Sequence, residues 1–299
     1  MTGLSDIPAY LSGPVLLGAL AGMGLVVGAL TGLFGVGGAF VIVPLLNVLL
    51  GIPYTLAAGC SMCFTIGTSA SGWSRHQSLG HVATKTMIIL GGAGVCGAVL
   101  GADLHVHLKS ALSASPAQGS GQAFTLTMHL LFILTLLIAG WLVLRWSPHE
   151  TPGPSLLQRL PLGPRIEIQR ANLRGISLPG LCAVGLGIGI FGGLLGIGGG
   201  VLLMPVMLLV VGVGIHQAVG TSLGVVLFVS VAGAAIYGAD GEVNLWIVMA
   251  LLVGSTLGVQ IGAWLCHRLH ARHIQRYFSL FILLVVLVIA WDFVRRLIG

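Results

Sequence analysis

The sequence GLFGVGGAFVIVPLL occupies residues 32–46, and a close copy of it, GLLGIGGGVLLMPVM, occupies residues 193–207. The two stretches align without a gap, and each places several glycines ahead of an apolar run that contains a proline. They are 161 residues apart. A repeat at this distance duplicates about half of the chain, so the protein consists of two related halves rather than of a short local repeat.

The composition of the whole chain sets the class of protein. Of its 299 residues, 56% are hydrophobic, only 7% are charged, and 47 are glycine. Soluble domains of this size do not have such a composition, so we predict an all-α polytopic membrane protein. The net charge of +6 comes from 13 scattered basic residues that form no basic face, which argues against a nucleic-acid partner. The five cysteines lie in apolar segments and give no disulfide framework.

The glycine clusters of the two stretches predict breaks in membrane helices. Each glycine costs about 1 kcal/mol in a helix relative to alanine and gives the backbone access to positive φ. Two breaks at matching positions of two halves indicate the midplane site of a secondary transporter. A helix that restarts after a break directs free N–H groups and the positive end of its dipole at an anion. Close helix packing is the alternative explanation of a glycine, and we assign it to pairs spaced four apart, such as Gly97 and Gly101.

Ten apolar segments follow from the hydropathy, five in each half. They cover residues 14–33, 38–50, 56–73, 86–104, 126–145, 176–195, 199–213, 217–237, 244–266 and 277–296. The segments after the two breaks are shorter than the ~20 residues of a full span, so we expect re-entrant or partial spans there. We divide the chain into a first membrane repeat (1–146), a linker (147–175) and a second membrane repeat (176–299). We expect the linker to be partly helical after Pro164.

Basic residues are distributed unequally between the loops that these segments define. One side collects Arg75, Lys85, Arg145, Arg159, Arg165, Arg170, Arg174, Arg268, Arg272 and Arg276, and the other has Lys109, Arg295 and Arg296. The positive-inside rule places the richer side, with the linker, in the cytoplasm and both termini in the periplasm. Because each half has an odd number of segments, the halves then have opposite orientations, and we predict inverted repeats. The start of the chain has no basic region ahead of its apolar stretch, so we expect no cleaved signal peptide.

The duplication extends well beyond the glycine stretches. At the offset of 161 residues, Gly59-Cys60-Ser61 matches Gly220-Thr221-Ser222. In the last segment of each half, Trp141-x-x-x-Arg145 matches Trp291-x-x-x-Arg295 at an offset of 150 residues. Nearly the whole of each half is therefore related to the other.

The second half carries a recognisable combination of motifs. GLLGIGGG followed by Pro205, then Gly220-Thr221-Ser222-Leu223, then Gly241-Glu242-Val243 resembles the TauE/SafE sulfite exporter family, also called four-toluene-sulfonate-uptake-type permeases. The resemblance covers both halves and implies a multi-spanning permease of the bacterial inner membrane. It implies a cargo among sulfite, sulfonates, sulfoacetate, thiosulfate and related organic anions, moved mostly outward. The first half departs from the pattern at Cys60, where the second half has Thr221.

Candidate substrate-binding residues cluster at and after the two breaks. A desolvated oxyanion needs several hydrogen-bond donors, and hydroxyl and backbone N–H groups supply them without a trapped charge. The candidates are Gly35, Gly37, Gly38, Cys60, Ser61, Thr65, Gly196, Gly198, Gly199, Gly200, Thr221 and Ser222. Thr68 and Ser69 continue the same helical spacing, and Pro44 and Pro205 are the predicted hinges. The alternative for the hydroxyls is a bond to a backbone carbonyl or a neighbouring helix, and for Ser61 and Ser222 both explanations stay open.

We therefore predict a secondary transporter, not an enzyme, that exports a small sulfur-containing anion such as sulfite or an organosulfonate by alternating access. Its expected partners are that anion, the lipid bilayer and a coupling ion such as a proton, with no cofactor or metal. The sequence leaves open whether it forms a homodimer. Two alternatives remain: a passive anion channel, and a thiol-dependent sulfur-transfer membrane protein that uses Cys60 and Cys63. Proton coupling would depend on His129, on Asp103 or on protonation of the substrate, and we expect His129 to be a helix-contact residue.

Overall fold

The computed structural model describes residues 13–113, 120–145, 156–159, 163–168 and 173–298. The first half contains α1 (Gly13–Phe34), α2 (Ala39–Pro44), α3 (Tyr54–Ser78), α4 (Thr84–Ser113) and α5 (Ser120–Arg145). The linker contains α6 (Leu156–Arg159), β1 (Arg165–Ile168) and β2 (Leu173–Ser177). The second half contains α7 (Leu178–Leu195), α8 (Gly200–Val206), α9 (Ile215–Ala239), α10 (Leu245–Arg268) and α11 (Ala271–Ile298). All ten apolar segments expected from the sequence are helical.

The protein is an all-α polytopic membrane protein. Within the described ranges, 7 helices are long and apolar enough to cross a membrane. Their outward faces carry large exposed apolar side chains, such as Leu144 on α5, Leu257 on α10 and Leu297 on α11, which are 65–70% exposed. An apolar surface of this extent is suited to lipid rather than to water.

Both glycine clusters break the chain between two helices. Gly35, Gly37 and Gly38 have φ values of 72°, 79° and 80°, and their counterparts Gly196, Gly198 and Gly199 have 71°, 65° and 71°. Three left-handed residues within four positions cannot continue a right-handed helix, so α1 and α7 end there. The helices that restart, together with the turns that extend them, cover only Ala39–Leu49 and Gly200–Val211 and are too short for a full span.

The two prolines lie downstream of these breaks. Pro44 ends α2, and the chain continues directly into a π-helical turn, Leu45–Leu49. Pro205 lies inside α8, which continues into the π-helical turn Met207–Val211. Proline has no N–H for the helical bond and its ring displaces the carbonyl four residues earlier, which favours a widened turn. The glycines thus make the breaks, and the prolines precede a second irregularity.

The first helix of each half packs along the fourth helix of the other half. In α1, Gly24, Gly28 and Gly32 face Leu251, Ser255 and Val259 of α10, in that order. In α4, Gly97 and Gly101 face Leu186 and Ile190 of α7, again in order. A methyl group placed on Gly97 or Gly101 would lie 2.1 Å from a backbone oxygen, so these helices touch along their backbones. Both pairs run parallel, and the two halves interlock instead of lying side by side.

The third helices of the two halves run antiparallel through the middle of the bundle. Near the start of α3, Gly59 faces Glu242, which follows the end of α9, while Gly72 near the end of α3 faces Leu223 near the start of α9. The last helices, α5 and α11, are also antiparallel, because Gln275 at the start of α11 donates to the carbonyl of Val143 near the end of α5. The equivalent helices of the two halves therefore point in opposite directions in these pairs.

The linker differs from the expectation of partial helicity after Pro164. Residues Arg165–Ile168 form a strand that pairs antiparallel with Leu173–Ser177. The sequence Arg-Ile-Glu-Ile alternates polar and apolar residues, a period of two that favours a strand over a helix. Most of residues 147–164 lie outside the described ranges.

Candidate functional site

The two glycine breaks meet in the centre of the bundle. A methyl group placed on Gly200 would lie 2.0 Å from the carbonyl oxygen of Val36, so the backbones of the two breaks touch. A methyl group on Gly37 would lie 2.6 Å from Val226 and 2.8 Å from Thr65, and one on Gly198 would lie 3.3 Å and 3.6 Å from the same two side chains. One Thr from α3 and one Val from α9 therefore fill the space between the second glycines of the two breaks.

Two serine hydroxyls complete this centre. Ser69 of α3 and Ser230 of α9 are equivalent in the two halves, being 161 residues apart, and both are fully buried. Within the described part of the chain, both hydroxyls lack a hydrogen-bond partner. A methyl group on Gly37 would lie 3.2 Å from Ser69 Oγ, and one on Gly198 would lie 2.7 Å from Ser230 Oγ. We call Gly37, Thr65, Ser69, Gly198, Val226 and Ser230 the central site.

Unpaired buried hydroxyls are uncommon and require an explanation. A polar group that is buried without a partner costs about 1–3 kcal/mol, and proteins satisfy most such groups. Here the same cost occurs at two equivalent positions, each of which faces the break of its own half. A methyl group at Gly37 or Gly198 would meet protein atoms within 3 Å, so in this structure the centre is closely packed around the two hydroxyls.

The serines singled out from the sequence have backbone partners instead. Ser61 donates to the carbonyl of Gly196 at 2.5 Å, and its counterpart Ser222 donates to the carbonyl of Gly35 at 2.6 Å. Each serine thus caps the break of the opposite half. Thr65 donates to the carbonyl of Gly37 at 3.1 Å, which leaves its methyl group toward the central site. These bonds satisfy carbonyls that a helix end leaves without intrahelical partners.

Cys60 and Thr221 also have equivalent structural roles. Thr221 Oγ1 accepts the backbone N–H of Ala83, just before α4, at 2.9 Å. Cys60 Sγ accepts the backbone N–H of Asn244, just before α10, at 3.2 Å. Ala83 and Asn244 are themselves equivalent, so the thiol replaces a hydroxyl as the acceptor that holds the next helix. Cys63 is half-buried, and both thiols are free.

The remaining glycines of the predicted site pack against protein. A methyl group on Gly35 would lie 2.5 Å from the carbonyl oxygen of Val219, and one on Gly196 would lie 2.3 Å from Ala58. Gly38 faces Thr31 in the same way at 2.5 Å, and Gly199 faces Ile188 at 2.7 Å. Of the glycines proposed from the sequence, Gly37 and Gly198 are the two that face the unpaired hydroxyls. Ser230 was not singled out, although its 161-residue offset from Ser69 could have identified it.

The two ends of the bundle carry different polar groups at equivalent positions. At one end, which we call the glutamate end, Glu242 binds Lys109 and accepts a hydrogen bond from Thr55 at 3.0 Å. At the other end, which we call the histidine end, the equivalent of Glu242 is His81. The ring centroid of His81 lies 5.4 Å from the centroids of His216 and His267 and 5.6 Å from that of His76.

His81 lies in the loop between α3 and α4, outside the spanning helices. Burial, followed by the positive charges that the neighbouring histidines would carry, lowers the pKa of His81 to about 4. The histidine end is therefore uncharged at His81 near neutral pH. The glutamate end instead carries the paired charges of Lys109 and Glu242.

Comparison with known proteins identifies relatives along nearly the whole chain. The family model described as sulfite exporter TauE/SafE matches residues 20–289. The probable membrane transporter protein YjnA of Bacillus subtilis is 29% identical over 253 residues, which are 85% of this chain and 91% of that protein. YdhB of the same species, also a probable membrane transporter protein, is 25% identical over 236 residues, or 79% and 84% of the two chains. A probable membrane transporter protein of Xylella fastidiosa is 28% identical over 274 residues, or 90% and 93%. No solved structure gives a significant match.

Proposed function

Because the chain belongs to the TauE/SafE sulfite exporter family, we propose that it is a secondary transporter that exports a small sulfur-containing anion, such as sulfite or an organosulfonate, by alternating access. A membrane transporter of this family acts on a small molecule in a lipid bilayer. The choice of anion, the direction and the mechanism are the proposal.

The pair of unpaired hydroxyls at the central site is the observation that carries the proposal. Ser69 and Ser230 are fully buried donors with no protein acceptor among the described residues. An oxyanion between them would accept one hydrogen bond from each half, and hydrogen bonds to charged groups contribute about 1.5–3 kcal/mol each. Gly37 and Gly198 bring the backbone of both breaks close to these hydroxyls, and the anion would enter when rocking of the halves separates the packed centre. The site offers no fixed positive charge, so an anion can leave it as readily as it binds.

The helix directions support alternating access. We propose that the two halves are inverted repeats, because α3 runs antiparallel to its equivalent α9, and α5 runs antiparallel to its equivalent α11. A pseudo-two-fold axis in the membrane plane would then pass through the central site and exchange the glutamate end with the histidine end. Rocking of the halves about the breaks would open one end while the other is closed.

The distribution of basic residues supports an orientation. The histidine end includes the last turn of α3 with Arg75 and the α10–α11 junction with Arg268 and Arg272. We propose that this end faces the cytoplasm of an inner membrane and that the glutamate end faces the periplasm. The anion would then enter past the histidines and leave past Lys109 and Glu242.

A binding screen followed by a flux assay tests the proposal. The purified protein is heated with sulfite, thiosulfate, sulfoacetate, taurine, sulfate, acetate or lactate, and a ligand at 100 times its Kd adds about 2.7 kcal/mol to the stability. We expect stabilisation by sulfur oxyanions or sulfonates and none by acetate or lactate.

Anions that stabilise the protein are then tested for counterflow in proteoliposomes. In a carrier, excess unlabelled anion inside drives transient uphill uptake of the labelled anion, whereas a channel gives no uphill phase. Stabilisation by carboxylates alone would refute the proposed substrate, and saturable binding without counterflow would refute the carrier mechanism.

A further inference from the structure

A buried polar cluster joins two parts of the first half to α11. His129 of α5 and Asp292 of α11 are only 2% and 4% exposed, and His129 Nδ1 lies 3.7 Å from Asp292 Oδ2. Asn47, which is 3% exposed, lies in the π-helical turn after α2, and its Oδ1 is 3.1 Å from His129 Nε2. Ionisable groups buried within membrane helices are rare, and those that occur are usually functional.

The hydrogen bonds of Asn47 fix which nitrogen of His129 carries the proton. Asn47 Nδ2 donates to the carbonyl of Ile52 at 2.7 Å, so its other atom, Oδ1, is the acceptor. Arg296 Nη2 also donates to this Oδ1, at 3.4 Å. His129 must therefore donate from Nε2, because Asn47 Oδ1 has no hydrogen to give. In the neutral imidazole, Nδ1 is then left with a lone pair.

Two acceptors consequently face each other in the interior. The lone pair of His129 Nδ1 points toward a carboxylate oxygen of Asp292, and among the described residues Nδ1 has no hydrogen-bond donor. Arg296 Nε donates to the same carboxylate oxygen at 2.6 Å, so this oxygen already acts as an acceptor. A proton added to Nδ1 would turn this unfavourable contact into a charge-assisted hydrogen bond.

We propose that His129 and Asp292 form the proton-binding site of this transporter, with the proton carried on His129 Nδ1. The inference rests on the proposed transport function and names its coupling ion. In each cycle one proton is taken up from water on one side of the membrane and released to water on the other. His129 thus has a role beyond the helix contact expected from the sequence.

Asn47 connects this site to the moving part of the carrier. It belongs to the continuous helical segment that begins at Ala39, directly after the first glycine break. A protonated His129 would be bound both to Asn47 and to Asp292, and would tie this segment to α5 and α11. Loss of the proton restores the repulsion and weakens the connection. The occupancy of the proton site therefore biases the position of the first broken helix.

The proton site, which joins His129 of the first half to Asp292 of the second, has no symmetry-related copy among the equivalent positions. The second half has Leu208 at the position of Asn47, Ser279 at that of His129, and the first half has Leu142 at that of Asp292. A carrier with one anion site on its pseudo-symmetry axis and one proton site off that axis would move a single proton per cycle.

Few other titratable or charged groups face the pair. From α11 there is Arg296, and from α3 there is Tyr54, whose ring centroid lies 6.0 Å from that of His129. The ring of His105 on α4 stacks on that of Tyr54, with their centroids 6.1 Å apart. From α5 itself, Gln122 donates to the backbone oxygen of Arg296 and is uncharged. A titration between pH 5 and 8 that is lost when either His129 or Asp292 is replaced can thus be assigned to this pair.

The first test needs no substrate. Infrared pH-difference spectra of the whole protein in lipid report imidazole and carboxylate protonation between pH 5 and 8. We expect the titration of one imidazole to be lost in both His129→Gln and Asp292→Asn.

Asp103→Asn is the matched control, because Asp103 and His107 form a similar pair at 3.5 Å whose side chains are 63% and 74% exposed. In Asp103→Asn, the imidazole titration that we assign to His129 and Asp292 should match that of the wild type. Identical titration of wild type and His129→Gln would overturn the proton site.

The second test measures coupling in proteoliposomes with labelled thiosulfate, whose charge is constant over this pH range, and with the membrane potential clamped. If one proton moves with each anion, a difference of about one pH unit sustains about a tenfold anion ratio. We expect wild type and Asp103→Asn to reach this ratio, and His129→Gln and Asp292→Asn to lose it while retaining thiosulfate counterflow. Retention of the ratio in both variants would refute the coupling.

The proposed transport function and the proposed proton site can be refuted separately. Absence of counterflow in the wild type with every anion of the screen would refute the transport function, and the infrared titration would still decide whether the proton site exists.

Discussion

Replacement of either central serine by alanine should make the empty protein more stable and the transporter worse. In Ser69→Ala and Ser230→Ala, the change removes a fully buried hydroxyl that has no partner in the described structure. Most substitutions in a buried core destabilise a protein, so a gain in stability would be an unusual result with a specific cause.

The magnitudes follow from the state of each hydroxyl. An unsatisfied buried polar group costs about 1–3 kcal/mol, so its removal should stabilise the empty protein by on the order of 1 kcal/mol per site. In the complex the same hydroxyl would donate to an anion, a bond that contributes about 1.5–3 kcal/mol. Each substitution should therefore weaken anion binding by about 10- to 150-fold.

Ser61→Ala and Ser222→Ala are matched controls. They change the same residue type, at equivalent positions of the same two helices, and these serines are as deeply buried. Their hydroxyls, however, donate to the carbonyls of Gly196 and Gly35. Loss of the donor leaves a buried carbonyl unsatisfied, so these variants should be destabilised by about 1–3 kcal/mol, with little change in the Kd of the folded fraction.

The assay is thermal unfolding of the purified variants with and without the anion that the screen identifies, combined with binding isotherms. The expected pattern has opposite signs: higher stability and weaker binding for the central pair, lower stability and unchanged binding for the capping pair. If Ser69→Ala is destabilised to the same extent as Ser61→Ala and binds the anion as the wild type does, the assignment of the central site is refuted.

Three further changes test other parts of the reasoning. Gly37→Ala should abolish transport in the counterflow assay, because its methyl group would lie within 2.6–3.2 Å of three side-chain atoms of the central site. Gly51→Ala is the control and should transport normally, because Gly51 has a similar φ of 66° but open space around it. Joint replacement of Cys60 and Cys63 by serine should retain counterflow, because a serine oxygen can accept the backbone N–H that the Cys60 thiol accepts; abolished transport would instead favour thiol-dependent sulfur transfer.

Within the same set, His81→Asn should make stability less sensitive to acid, since the pKa of His81 is lowered to about 4 in the folded protein. An unfolded histidine titrates near about 6.5, so the unfolded state binds more protons between these values. Stability is therefore complete above pH 6.5 and is lost as the pH falls toward 4. A melting temperature that declines equally in wild type and variant over this range would contradict the assignment.

The positions of the two breaks and of all ten helical segments could be predicted from the sequence. Contiguous glycines such as Gly37-Gly38 have few conformational alternatives, and the 161-residue offset confirmed each boundary in a second copy. The hydropathy that defines membrane helices is a local property, so the segments could be located from the sequence. Their limits were less well predicted: α4, for example, continues to Ser113, nine residues beyond the expected end at 104. The exception was the linker, where a short alternating stretch after Pro164 formed a strand.

The roles of the hydroxyls could not be predicted in the same way. Ser61, Thr65, Thr68 and Ser69 all lie on the buried side of α3, and spacing alone does not distinguish them. Which of them reaches a carbonyl depends on where the breaks of both halves meet α3, and this is set by tertiary packing. The contact between His129 and Asp292 could not be predicted from the sequence, because the two residues are far apart in the chain. Their contact depends on the pairing of α5 with α11.

The distribution of symmetry within the molecule bears on how transport acquires a direction. If the inward-open and outward-open states were exchanged by a perfect two-fold axis, they would have equal free energies, and neither would be favoured. The centre largely preserves this symmetry, since Ser69 matches Ser230 and the capping serines match each other. The ends do not, since His81 replaces Glu242.

A difference in free energy between the two states must therefore arise at the ends and at the one-sided proton site. At the glutamate end, Lys109 and Glu242 form an ion pair at the position where the histidine end has His81. At the histidine end, His81 is uncharged near neutral pH because its pKa is lowered to about 4. In the proposed mechanism, the contribution that varies with pH comes from the proton site at His129. Under the proposed coupling, the anion site would remain equivalent in both states, and the protonation of His129 would bias which state is populated.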